Sequence, residues 1–126
     1  MITEDFVSFE TAKLLKEKGF VENTPVNYFV GDDKPRGCVV GEMIYHKRLE
    51  EDTHLIAAPT LQMAMKWLRE VHSLWCEISW KGKGLWCMEV FSLMDEEFIP
   101  GSIVHEIKSY EEACESAIKY CLENLI

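Results

Sequence analysis

The stretch Leu74-Trp75-Cys76-Glu77-Ile78-Ser79-Trp80-Lys81-Gly82-Lys83-Gly84-Leu85-Trp86-Cys87-Met88-Glu89-Val90-Phe91-Ser92-Leu93 decides the fold. Two runs rich in aromatic and β-branched residues, Leu74–Trp80 and Leu85–Leu93, flank a Lys-Gly-Lys-Gly turn. That is the pattern of an antiparallel hairpin. Side chains alternate with period two, so the register decides which of them share a face. With Trp80 opposite Trp86, the residues Cys76, Ile78, Trp80, Trp86, Met88 and Val90 form one apolar face. The loop is then Gly82-Lys83-Gly84, with Gly84 in the left-handed position. The same register sets Glu77 against Glu89, a like-charge pair that costs something. Burying large apolar side chains, each at about 1.5–3 kcal/mol, outweighs a repulsion that water screens.

Outward from the hairpin, three amphipathic segments read as helices: Ser8–Gly19, Thr60–His72 and Ser109–Ile126. In the first, Ser8 is an N-cap, Val7 and Ala12 occupy hydrophobic-staple positions, and Gly19 with Phe20 forms a Schellman ending. Leu14, Leu15 and Ala12 are expected to face the core. In the second, Leu61, Ala64, Met65, Leu68 and Val71 make the apolar stripe, Trp67 lies on its flank, and Gln62, Lys66, Arg69 and Glu70 point away. The third opens on a capping box, Ser109-Tyr110-Glu111-Glu112. It buries Tyr110, Ala113, Cys114, Ala117, Ile118, Cys121, Leu122 and Leu125. Further strands are expected at Asn27–Gly31, Cys38–Tyr45, Leu55–Ala58 and Ile103–Ile107, with His46–His54 a polar loop. These elements predict an α+β fold of one domain, 1–126. It has an antiparallel sheet of four to five strands and three helices, in the order α-β-β-α-β-β-β-α.

Composition narrows the function classes. The chain has 126 residues, 48% hydrophobic, 28% charged, with a net charge of −9. An acidic protein repels phosphate backbones, so nucleic-acid binding is disfavoured; the hairpin Lys81-Gly82-Lys83-Gly84 with Trp80 and Trp86 is the one stretch that imitates a base-stacking site. No apolar run has the length of a membrane span, and the acidic start, Met1-Ile2-Thr3-Glu4-Asp5, is unlike a signal peptide. The expectation is a cytoplasmic protein with reduced thiols at Cys38, Cys76, Cys87, Cys114 and Cys121.

No motif for catalysis, phosphate binding or metal is present, and no cofactor is implied. Cys114 and Cys121 share the apolar face of the last helix and read as packed thiols rather than metal ligands. Cys87 falls on the opposite hairpin face and is expected to be the most accessible thiol. It and the scattered histidines are what an enzyme reading would rest on. The outer hairpin face carries Trp75, Leu85, Cys87 and Phe91 beside Glu77 and Glu89. That is more apolar surface than water normally meets, so these six residues are the candidate interaction face. Its occupant is expected to be a protein partner of unknown identity or, where helices do not cover it, a second copy in a two-fold dimer.

Three stretches together resemble short uncharacterised proteins of gut Bacteroides and their phages and prophages: FETAKLLKEKGF at Phe9–Phe20, APTLQMAMKWLRE at Ala58–Glu70, and YEEACESAIKYCLENLI at Tyr110–Ile126. The middle stretch is the most specific. That group has no known activity, so the resemblance implies a setting, a phage or mobile element in a bacterial cytoplasm, and no catalytic residue. The three readings it leaves are a small interaction or accessory protein, a small enzyme with a Cys or His in a cleft, and a nucleic-acid-binding accessory using the 80–86 hairpin.

Overall fold

The computed structural model describes residues 2–29, 36–37 and 55–126. The class is α+β and the expected order of helices and strands is present. The strands divide between two antiparallel sheets, one in each of two compact units, Met1–Thr60 and Leu61–Ile126. The expected strand Cys38–Tyr45, the loop His46–His54 and Cys38 itself lie outside the described residues.

The first unit holds α1 (Phe9–Glu17) and the strands β1 (Val26–Phe29), β2 (Arg36–Gly37) and β3 (Leu55–Ala57), ordered β2-β1-β3. Ser8 caps α1 by accepting a hydrogen bond from the Thr11 amide at 3.2 Å. At the other end Gly19 takes φ +96°, and Phe20 N–H donates to Leu15 C=O (2.9 Å) while Gly19 N–H donates to Lys16 C=O (3.2 Å). This is the Schellman ending expected from the sequence, and it folds Phe20 into the core. Leu15 and Ala12 are buried with Thr11, whereas Leu14 is only half-buried. The chain before the helix is stitched down by Val7 N–H to Pro59 C=O (3.0 Å) and by the Tyr28 hydroxyl donating to Val7 C=O (2.6 Å).

The second unit holds α2 (Leu61–His72), β4 (Leu74–Gly82), β5 (Leu85–Ser92), β6 (Glu97–Phe98), β7 (Val104–Ile107) and α3 (Tyr110–Asn124). β5 is central: β4 pairs with one side of it, β6 and β7 with the other, all antiparallel. The hairpin has the expected register, with Trp80↔Trp86, Ile78↔Met88, Cys76↔Val90 and Glu77↔Glu89. The turn differs from the expected three-residue loop. Gly82 pairs with Leu85, so the loop is Lys83-Gly84, both with positive φ as a primed turn requires, and Lys81 is absorbed in a bulge between Trp80 and Gly82.

The inner face of this sheet packs on α3, which buries Ala113, Cys114, Ala117, Ile118, Cys121 and Leu122 as its periodicity predicts. Met88 and Val90 are fully buried there. Trp80 is 67% exposed at the hairpin end, a correction to its expected burial: the face alternation is right, but Trp80 lies at the open end of the ladder. Helix α2 is also rotated from expectation. Trp67 is buried, edge-on to His72 with ring centroids 4.7 Å apart, and Val71 is 59% exposed. Ser102, fully buried, fills the gap between β6 and β7. Its hydroxyl accepts from Val90 N–H (3.1 Å) and donates to Ile99 C=O (2.7 Å).

Candidate interaction edge and groove

Strand β4 lies at an edge of its sheet. Among the described residues it pairs with β5 alone. Its free backbone groups can be assigned. Leu93 N–H donates to Ser73 C=O at 2.8 Å, and Val90 spends its N–H on Ser102 and its C=O on Ile99, away from β4. Antiparallel ladders alternate, so Trp75, Glu77 and Ser79 bond to β5, and Leu74, Cys76, Ile78 and Trp80 point their N–H and C=O groups outward. Unpaired edges are templates for another strand, and proteins usually block them with Lys, Pro or a bulge. From Leu74 to Trp80 the edge has none of these; Lys81 and the bulge come only at its end.

A cavity of about 170 Å³ runs along this edge, lined by Gln62, Met65 and Arg69 of α2, by Trp75, Cys76, Glu77 and Ile78 of β4, and by Tyr110. The helix residues recur at i, i+3 and i+7, one side of α2. The strand residues are consecutive and of both parities, so the cavity follows the strand's edge rather than one face. At one end Arg69 stacks over the Trp75 ring at 5.6 Å. Gln62 Nε2 donates to the Tyr110 hydroxyl at 2.9 Å. Burial raises the Tyr110 pKa, with the Gln62 hydrogen bond opposing, so the phenol stays protonated. Deeper, the Cys76 pKa is driven far up, first by its hydrogen bond with the Cys121 thiol and then by burial, and Cys114 is pushed up to about 11 by burial. Thiols held neutral in this way are structural rather than nucleophilic.

The six candidate face residues are placed unequally. Trp75 is 38% exposed, and Glu77, Leu85, Glu89 and Phe91 are half-buried. Trp75 stands opposite Phe91, and Phe91 opposite Phe98, making an aromatic row across three strands with the Phe91 and Phe98 centroids 5.7 Å apart. The next row is Glu77 opposite Glu89, with the Trp75 indole donating to Glu77 at 2.7 Å. Cys87 is the correction. It is on the expected side of the strand but only 2% exposed, less than Cys76 at 9%, while Cys114 and Cys121 are fully buried, so it is not the accessible thiol. The short side chain lies in the central strand between longer neighbours, Leu85 and Glu89.

Sequence reasoning missed Phe98, whose two-residue strand leaves no period to read, and the α2 wall. Gln62 and Arg69 share the side of the helix away from its stripe, and that shared side was the available signal. No group of His, Cys, Asp and Glu that could hold a metal occurs among the described residues, and no helix there is long and apolar enough to cross a membrane. We found no match to the chain among family models, curated proteins or solved structures.

Proposed function

We propose that the protein is a small protein–protein interaction domain, an accessory of a phage or other mobile element acting in the bacterial cytoplasm, that engages its partner at the β4 edge and the adjoining Trp75–Phe91–Phe98 row. The carrying observation is that, among the described residues, β4 pairs on one side only and carries no Lys, Pro or bulge before Lys81, beside a groove lined by α2. The groove's volume supports a protein rather than a metabolite as occupant, because small-molecule sites run to roughly 300–1,000 Å³ and this one holds about 170 Å³. The mobile-element setting rests on the resemblance of the three helical stretches. Wild type, Trp75→Glu and Ile78→Pro compared as bait in a lysate of the source cell test the reading. A partner held by wild type and lost by both variants is the expected result, and equal capture by all three overturns it.

A second reading has one observation in its favour. Trp80 is 67% exposed beside Lys81 and Lys83, the geometry of a stacking hairpin for single-stranded nucleic acid. An electrophoretic shift that weakens with salt and is lost in Trp80→Ala would establish it. The enzyme reading built on Cys87 loses its support with that thiol's burial.

A further inference from the structure

We infer that the β4 edge takes an extended segment in which a basic residue is flanked by β-branched apolar ones, added as a fifth strand with the basic side chain beside Glu77. The inference rests on the interaction reading above and names the occupant's chemistry. The outward N–H and C=O groups of Cys76 and Ile78 supply the ladder. Residues of the added strand that face the same way as Cys76 and Ile78 meet Met65 in the groove, so these positions favour apolar side chains. The position between them faces the way Glu77 does and extends the row Glu89–Glu77 by one member.

That row selects the charge. Two carboxylates stand directly opposite, and neither has an ion pair among the described residues; Glu77 accepts only the Trp75 indole N–H, and the Arg69 guanidinium is engaged over the Trp75 ring at the end of the groove. A third acid beside them adds repulsion, whereas a Lys or Arg relieves it. The whole chain carries −9, so its long-range field also draws in basic segments. Two other features were weaker. The shallow cavity between β7 and α3 mixes His105, Lys108 and Lys119 with Glu106, Glu112 and Glu115 and selects no charge. The Cys76–Cys121 contact is a hydrogen bond that raises the Cys76 pKa, made between thiols buried in the core.

The test is a nuclear magnetic resonance titration with the blocked peptide Thr-Thr-Val-Lys-Val-Thr-Thr, whose palindrome fits either strand direction, and with the same peptide carrying Glu for Lys. The Lys peptide should move the backbone amides of Cys76 and Ile78 and bind at least about fivefold more tightly than the Glu peptide, the ratio expected of one cross-strand charge contact near 1 kcal/mol. Glu77→Lys, at a half-buried position whose carboxylate accepts only the Trp75 indole N–H, should reverse the order. Equal affinities, or shifts confined to residues off the edge, overturn the inference and leave the interaction reading to stand on its bait comparison. Slow amide exchange at Cys76 and Ile78 without peptide, in a protein of dimer mass, would put a second copy on the edge and overturn it too. A bait comparison that fails while the peptide preference holds removes the cellular reading alone.

Discussion

Along one side of the C-terminal sheet β4 runs for nine residues with no Lys, Pro or bulge before Lys81. Along the other, β6 has two residues, both exposed, and β7 has four. β7 also breaks register against β5, and Glu106 in its middle takes φ +60°. That side shows the usual defences against unwanted pairing: short strands, charge and a bulge. Both sides flank the same central strand and belong to one unit. The contrast teaches that edge defence in this molecule is local: among the described residues, short strands, charge and a bulge guard the β6–β7 side, whereas on the β4 side only α2 flanks the strand, across a lined groove. It is on this contrast that the proposed docking at β4 rests.

The comparison can be broken most severely from beneath. Ile118 is fully buried in α3 under the sheet, so Ile118→Ala should cost about 2–5 kcal/mol and loosen both edges together. Urea melts followed by tryptophan fluorescence measure it. A loss confined to one edge in hydrogen exchange would show that the edges do not share a core. Ser102→Ala should separate them. It leaves the Val90 N–H buried without a partner, at about 1–3 kcal/mol. Exchange should quicken at Val90 and Ile99, with little change at Trp75 or Glu77, whose amides bond to β5 from the other side. Equal quickening on both sides contradicts local defence.

Alkaline pH gives a shallower decline. The Cys114 thiol is raised from an ordinary 9.0 to about 11 in the folded chain. The unfolded chain therefore loses this proton first. The stabilisation is complete below pH 9 and disappears as pH rises toward 11. The urea midpoint should fall across that window in wild type and fall less in Cys114→Ala; parallel curves would exclude the thiol as the cause. The smallest effect is expected at Glu106→Gly. A left-handed conformation costs an L-residue about 1–2 kcal/mol, and the added freedom of glycine in the unfolded chain offsets part of the relief. A net gain of about 1 kcal/mol or less in thermal unfolding is the expected outcome. A loss would mean that the Glu106 side chain contributes more than its backbone strain takes away.

Much of this architecture was legible because it is written in short-range chemistry. Ser8, Gly19 and Ser109 announce their caps, and two tryptophans facing across a glycine turn set the hairpin register. What stayed hidden depends on partners far along the chain. An apolar stripe through Leu61, Ala64 and Leu68 is compatible with burying either Trp67 or Val71, and only the surroundings of α2 choose between them. Lys81 disappears into a bulge because the turn's positive-φ geometry, not the pattern of side chains, closes the hairpin. Cys87 was assigned to the right side of its strand, yet alternation says nothing about how deep a small side chain sits in a central strand. The candidate face was half legible: Trp75, Glu77, Glu89 and Phe91 were named, whereas Arg69 and Phe98 join them only through tertiary placement.

One residue, Ser73, with φ +55°, is the whole connection between α2 and β4, and Lys83-Gly84 is the whole turn between β4 and β5. The groove's α2 and β4 walls and the strand supporting them thus come from one unbroken run, 61–92. Closing such short loops costs little chain entropy, whereas β7 must return to β5 across the Leu93–Ile103 connection. We therefore expect the α2–β4–β5 run to be an early folding unit, formed before β7 is in place. During synthesis the β4 edge would precede the β7 side, and on the proposed reading the nascent chain would already present a strand for docking. Pulse-labelled exchange showing β7 amides protected before those of β4 would reverse that order.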